Sequence, residues 1–340
     1  MALARSTGVL VVVSPGPMAK WALPLLTKAA AQADAPIRHF DRTDPISAAG
    51  APKIFVCQFP SLSAINAVTM GALDAVYVMA DPQWTVAAQR ARGASLLEAL
   101  RLSTASATAN LSIGRTSRSR LIYPELDHST ATAAQRLLSA CGLPADPAAL
   151  HENLLALGMS GEDELRTTLL HLDAHASPAP LDETEPAITQ SILGGLAAMA
   201  EGESNVPVIW PTAVFLSGDA PNSPAPMVAS IVGPSRVVLY GPYLHLPPAT
   251  YRGEVTIAFS GHIEEIAFHL DFLAEQTRLT SLRMEGRRSG NYRGRFKLVV
   301  TDPAAHIEIH LRNERGSIEG EVALRELRFY AVEPDVISIP

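Results

Sequence analysis

In the first third of the chain, short and nearly continuous apolar runs alternate with stretches of helical period. Val9–Val13 precedes Trp21–Ala33, Ile54–Phe59 precedes Leu62–Leu73, and Ala75–Met79 precedes Thr85–Ser103. Unbroken apolar runs suit strands covered on both faces, and parallel strands need a helix to bring the chain back. The pattern therefore predicts an α/β domain with a mainly parallel sheet. Leu111–Ile113 reads as one more short strand, after which the period turns helical at Thr130–Cys141, Pro147–Leu157 and Glu162–His175. The proline-rich stretch Ser177–Pro186 breaks any helix, and Ile188–Ala200 resumes one.

From Val237 onward the period changes to two. Val237–Tyr240, Glu254–Phe259, Ile266–Leu273, Leu279–Met284, Phe296–Val300, Ile307–Leu311 and Val322–Tyr330 are separated by Pro, Gly, Asp and Asn. That spacing predicts an all-β, jelly-roll-like sandwich. The expected division is residues 1–175 for the α/β domain, 176–204 for a linker carrying a helix, and 205–335 for the sandwich.

Composition narrows the class. The 340 residues are 47% hydrophobic and 18% charged, enough apolar material for two cores. A net charge of -7 argues against nucleic acid or an anionic membrane as partner. Cys57 and Cys141 give neither a disulfide framework nor metal spacing, and the apolar run Gly8–Val13 is too short to span a bilayer. These features predict a reduced, cytoplasmic protein without membrane insertion and without a cofactor.

Ser14-Pro15-Gly16-Pro17-Met18-Ala19-Lys20-Trp21 lies between the first predicted strand and helix, where an α/β fold presents amides to phosphate. Lys53-Ile54-Phe55-Val56-Cys57-Gln58-Phe59-Pro60 and Val76-Tyr77-Val78-Met79-Ala80-Asp81-Pro82 follow in order. On these three motifs, about residues 8–120 resemble the sulfotransferase family, whose matching stretches are Pro-Arg-Ser-Gly-Thr-Thr-Trp, Lys-Ile-x-x-Thr-His-x-Pro and Val-Tyr-x-x-Arg-Asp-Pro. The resemblance also implies what is missing. Gln58 stands at the family's histidine base, Ala80 at the arginine that grips the donor's 3′-phosphate, and Gln89 near its serine partner. Met18 and Ala19 replace loop residues, leaving Lys20 to meet a phosphate. A carboxamide takes no proton near neutral pH. The resemblance therefore implies a domain that has lost sulfate transfer.

Other clusters admit two readings each. Gly114-Arg115-Thr116-Ser117-Arg118-Ser119-Arg120 suits an oxyanion through Arg115, Arg118 and Arg120, or forms a solvated edge. His171 with His175, and His306-Ile307-Glu308-Ile309-His310, have zinc-like spacings without a third and fourth ligand, and read otherwise as surface histidines.

In the sandwich, Tyr240-Gly241-Pro242-Tyr243-Leu244-His245-Leu246-Pro247 with Tyr251 resembles a motif opening the sandwich domains that accompany bacterial glycosyltransferases and exopolysaccharide proteins. Tyr240, Tyr243, Tyr292 and Trp210 are candidate sugar-stacking rings, or core closures. The stretch Arg283–Arg295, read as a loop, offers Arg287, Arg288, Arg293 and Arg295 to an acidic glycan, or is a solvated hairpin.

The expected function is a non-catalytic accessory or scaffold of exopolysaccharide biosynthesis that contacts polysaccharide or a glycosyltransferase-complex subunit. The rival readings are a divergent sulfotransferase-like group transferase and a self-assembling structural protein that forms homo-oligomers.

Overall fold

A computed structural model describes residues 8–40, 54–78, 82–114, 119–122, 127–172, 183–200, 202–203, 205–261, 263–264 and 266–332. The chain divides into two units, Met1–Asp182 and Glu183–Pro340.

The first unit runs β1 (Gly8–Val13), α1 (Pro17–Gln32), β2 (Ile37–His39), β3 (Ile54–Cys57), α2 (Leu62–Thr69), β4 (Leu73–Val78), α3 (Pro82–Ala91), α4 (Leu96–Gly114), β5 (Ser119–Ile122), α5 (Thr130–Ala140), α6 (Pro147–Ala156) and α7 (Leu165–Leu172). Its five strands form a parallel sheet in the order β2-β3-β1-β4-β5. The apolar runs are continuous because both faces are covered. Val11, Val13, Ile54, Val56, Val76 and Val78 pack with Trp21, Leu25 and Leu26 of α1, whereas Leu10, Val12, Phe55, Cys57 and Tyr77 pack with Ala64, Ile65 and Val68 of α2. Adjacent strands β1 and β3 thus send their helices to opposite faces. A topological switch point opens between the turns Ser14–Gly16 and Gln58–Ser61, where sheets of this kind hold ligands.

Two boundaries differ from the sequence reading. Leu111–Ile113 continues α4 rather than forming a strand, because the small buried residues Ala99, Ser103, Ala107 and Asn110 keep helical spacing up to it. The fifth strand is Ser119–Ile122, which carries Arg120. The single helix expected over Thr85–Ser103 is broken between α3 and α4, where Gly93 adopts a φ of 90°.

The second unit begins with α8 (Glu185–Ala200) and continues through β6 (Val208–Pro211), β7 (Leu216–Ser217), β8 (Ala229–Ser230), β9 (Val237–Leu244), β10 (Ala249–Ser260), β11 (Ile266–Ala274), β12 (Thr277–Gly286), β13 (Gly290–Val300), β14 (Ile307–Asn313) and β15 (Glu321–Val332). α8 lies close against β6: a Cβ on Gly195 would come within 2.4 Å of the Pro207 carbonyl. The strands form two antiparallel sheets. The first has the order β13-β10-β15-β6 with β8 also on β15, and the second has the order β12-β11-β14-β9-β7. The two face each other across an aromatic core. Phe329 of β15 meets Trp210 at 4.6 Å, Phe296 at 5.9 Å, Tyr251 at 6.3 Å and, from the second sheet, Phe272 at 6.5 Å between ring centroids. Trp210 is thus a core residue, and Tyr251, also fully buried, donates its hydroxyl proton to the Pro247 carbonyl at 2.7 Å.

Gly253 makes room for one of these rings, since a Cβ there would lie 2.0 Å from Phe296. Phe296 in turn packs on Phe272 at 4.3 Å, so it has little room to yield. Gly253→Ala is expected to destabilise the sandwich by about 1–3 kcal/mol, the usual cost of overpacking. A thermal melt indistinguishable from that of the parent would contradict this.

Candidate functional site

At the switch point of the α/β unit the backbone offers an anion little. Pro15 and Pro17 have no N–H, and the amides of Ala19 and Lys20 both donate back to the Gly16 carbonyl, at 3.1 and 3.3 Å. The Met18 side chain is fully buried, and Lys20 is exposed. Gln58 is half-buried in the facing turn, and Gln89 is half-buried on α3. Ala80, Arg115 and Arg118 lie outside the described residues, and of Arg120 only the backbone, paired with Val76, is described.

The arginine-rich stretch of the sandwich is not one loop. β12 belongs to the second sheet and β13 to the first, with only Arg287–Ser289 between them. The alternation Tyr292, Gly294, Phe296, Leu298 points into the sandwich and carries Arg293 and Arg295 outward into strand β13. Tyr292 is correspondingly a fastener: its hydroxyl donates to the Arg288 carbonyl at 2.6 Å, accepts from the Arg288 amide at 3.3 Å, and its ring packs on Phe259 at 5.4 Å. Arg287 and Arg288 are exposed. Arg287 borders an open cavity of about 360 Å³ with Arg283, Glu264, Glu285, Ala267 and Gly286.

Arg293 and Arg295 acquire neighbours through strand register. Lys297, Arg252 and Tyr330 stand side by side on β13, β10 and β15; so do Arg295, Glu254 and Arg328, and then Arg293, Thr256 and Glu326. All nine fall on the outward, alternately exposed side of the first sheet. Rows lie about 7 Å apart along the strands and columns about 4.8 Å apart across them. Arg295 pairs with Glu254 at 3.4 Å and Arg328 with Glu326 at 2.8 Å. The Arg252 guanidinium lies 4.9 Å from the centroid of the Tyr330 ring. Arg252, Arg293 and Lys297 form no ion pair among the described residues, so this face holds a surplus of positive charge on an acidic protein. Arg252, Arg328 and Tyr330 were not among the sequence candidates. Arg252 stands in β10 and Arg328 and Tyr330 in β15, and only pairing gathers them beside Arg293, Arg295 and Lys297.

The tyrosines of β9 belong to the other sheet. The Tyr240 hydroxyl accepts from the Asn222 amide at 2.9 Å, and Tyr243 donates to Glu308 at 2.6 Å. Tyr243 has a φ of 65°, uncommon for a bulky residue and costing about 1–3 kcal/mol. The outward face of this sheet is densely bonded. Burial raises the Asp271 carboxyl, but the Ser281 hydroxyl, the Arg312 guanidinium and the His269 charge together hold it below the usual range. Burial likewise raises Glu308, outweighed by bonds from Tyr243 and His310 and by the charges of His310 and His306. Glu314 is pulled down to about 2 by its bonds from Arg283 and His269. Among the described residues no group of three or more His, Cys, Asp or Glu is placed to hold a metal ion.

Groups whose folded-state pKa is depressed stabilise the fold above their unfolded pKa of about 4, and that contribution is lost as pH falls through the folded value. Acid unfolding of the sandwich is therefore expected to begin below about pH 4 and to steepen toward pH 2, where Glu314 titrates. Asp271→Asn should flatten this slope. Equal slopes for the two proteins in pH-dependent urea melts would refute the assignment.

No protein-family model matches this chain, and no curated protein matches it. Several solved structures are distantly similar to part of it. TmCBM61, in complex with β-1,4-galactotriose, is 11% identical over 30% of this chain and 67% of that one, with a TM-score of 0.23. A cyclase from Fischerella sp. TAU, in complex with 4-(1H-indol-3-yl)butan-2-one, is 16% identical over 30% of this chain and 61% of that one, also at 0.23. A carbohydrate-binding module in complex with calcium and xylotriose is 12% identical over 34% of this chain and 87% of that one, at 0.22. No helix among the described residues is long and apolar enough to cross a membrane.

Proposed function

We propose that the protein is a non-catalytic accessory of bacterial exopolysaccharide biosynthesis in the cytoplasm, whose sandwich binds an acidic glycan on the outward face of the first sheet. The observation that carries this reading is the register-built grid of Arg252, Arg293, Arg295, Lys297 and Arg328 beside Tyr330, opposed only by Glu254 and Glu326. Guanidinium and ammonium groups spaced along paired strands suit the carboxylates of a uronate polymer, and the Tyr330 ring suits a pyranose face. Arg287 and Arg288, at the nearby turn, extend the same chemistry. Titration of the full chain with polygalacturonate tests it. Binding is expected at about 20 mM salt and should weaken sharply near 0.5 M, as the screening length shrinks below about 5 Å. Dextran should give no signal. Absence of polygalacturonate binding at low salt, or equal binding of dextran, would remove the reading.

The α/β unit serves in this proposal as a surface for a partner, such as a glycosyltransferase-complex subunit. Its likeness to sulfotransferases is supported by β1, β3 and β4 lying side by side and parallel, with Ser14–Gly16 at their carboxyl ends. Loss of catalysis is supported by Gln58 at the base position and by the scarcity of free amides around the buried Met18. Calorimetry with the sulfate-donor nucleotide is expected to be silent. Micromolar binding abolished by Lys20→Ala would overturn this and favour the group-transferase reading instead.

A further inference from the structure

The motif His306-Ile307-Glu308-Ile309-His310 takes no part in the basic grid, and it lies on the opposite sheet. In β14 the isoleucines point into the core, so Glu308 and His310 point outward; β9 sets Tyr240 beside His310 and Pro242 beside Glu308. The left-handed backbone at Tyr243 accompanies a ring whose hydroxyl donates to Glu308 Oε1 at 2.6 Å. His310 Nε2 bonds the same oxygen at 2.7 Å. Glu308 Oε2 therefore accepts nothing from the described residues, although the side chain is only 20% exposed. Tyr243 stands edge-on to His306 at 5.3 Å and to Tyr240 at 6.3 Å between centroids. The result is a corner with aromatic walls and a carboxylate oxygen still unbonded.

An unbonded oxygen of a shielded carboxylate favours a charged donor over a neutral one. Among the described residues no guanidinium bonds Glu308; Arg312 bonds Asp271 at 2.9 Å, and Arg283 is bonded to Glu314 and Glu285. Tyrosine rings beside an anion suit an ammonium group, whose charge meets the carboxylate while the adjoining CH groups meet the rings. We propose that the corner formed by Tyr240, Tyr243, His306 and Glu308 is a second ligand site that takes a primary ammonium group, as carried by an amino sugar. The site is independent of the acidic-glycan reading, since it lies on the other sheet and shares no residue with the grid.

The test uses the full chain and three probes: the glucosamine tetramer, its fully N-acetylated counterpart, and spermidine. The glucosamine tetramer is expected to bind at least about tenfold more tightly than the acetylated one, in keeping with loss of one charge-assisted bond. Glu308→Gln, which preserves shape, should lower that binding by a similar factor, beyond the small fall in melting temperature that follows from losing its charge. Tyr240→Ala removes a wall without touching a bond to Glu308 and should weaken binding severalfold, so the site can be judged even if Glu308→Gln folds poorly. Arg293→Ala with Arg295→Ala should leave it intact while impairing polygalacturonate, which separates failure of this site from failure of the grid. Spermidine binding as tight as the tetramer would assign the site to the ammonium alone, and weaker spermidine binding would assign it to the amino sugar. Equal binding of acetylated and free tetramers, no binding of any amine, or indifference to both Glu308→Gln and Tyr240→Ala would overturn the proposal.

Discussion

Phe329→Ala is expected to cost the sandwich about 3–5 kcal/mol, the range for truncating a fully buried aromatic. Phe329 has no exposed surface and is shared by the Trp210, Tyr251, Phe272 and Phe296 rings, so a cavity there would separate the two sheets at their centre. The surrounding rings are rigid and cannot collapse into the gap. For a unit of this size the loss should lower the melting temperature by roughly 10–25 °C. Trp210, whose ring is 4.6 Å from Phe329, should shift its emission to the red. Differential scanning calorimetry showing a melting temperature within about 2 °C of the parent would place the core elsewhere. Phe329→Leu, which leaves less empty volume, should fall between the two.

The second large effect concerns the grid. Replacing Arg252, Arg293 and Lys297 together by alanine removes the cations that have no ion pair on that face. At about 0.2–1 kcal/mol per exposed contact, polygalacturonate binding should fall roughly 3- to 150-fold. The salt dependence should flatten in parallel, because fewer charges remain to be screened. Stability should change little, since each side chain is at the surface. Glu254→Gln moves the charge the other way: it frees Arg295 from its 3.4 Å pairing and should strengthen binding. Both changes can be read in one titration series, and a triple variant that binds as the parent does would show that the grid is only a solvated face.

These expectations rest partly on what the sequence alone conveyed. A period of two in Ile307-Glu308-Ile309-His310-Leu311 identified a strand with one face buried, and the unbroken run Val9–Val13 identified one with both faces buried. Such patterns follow from local geometry, because successive side chains in a strand alternate faces whatever lies beside them. The parallel α/β unit and the all-β unit were legible for that reason. Leu111–Ile113 was not, since so short a stretch, Leu111-Ser112-Ile113, fits the end of a helix as well as a strand.

Neighbourhood between strands is a different quantity. Nothing in Arg283–Arg295 marks the point where the chain leaves one sheet for the other, so a loop of arginines and a ligand-facing Tyr292 were the natural reading. The sheet order separates Arg283 from Arg293, turns Tyr292 inward, and sets Arg252 between Lys297 and Tyr330. It also brings Tyr243 of β9 onto Glu308 of β14, residues far apart in the chain. The sequence determined which side chains share a face of each strand, because that depends on backbone geometry alone. Which strands lie side by side was decided only by tertiary structure, through long-range pairing and the packing of the aromatic core, and with it which charges and rings meet.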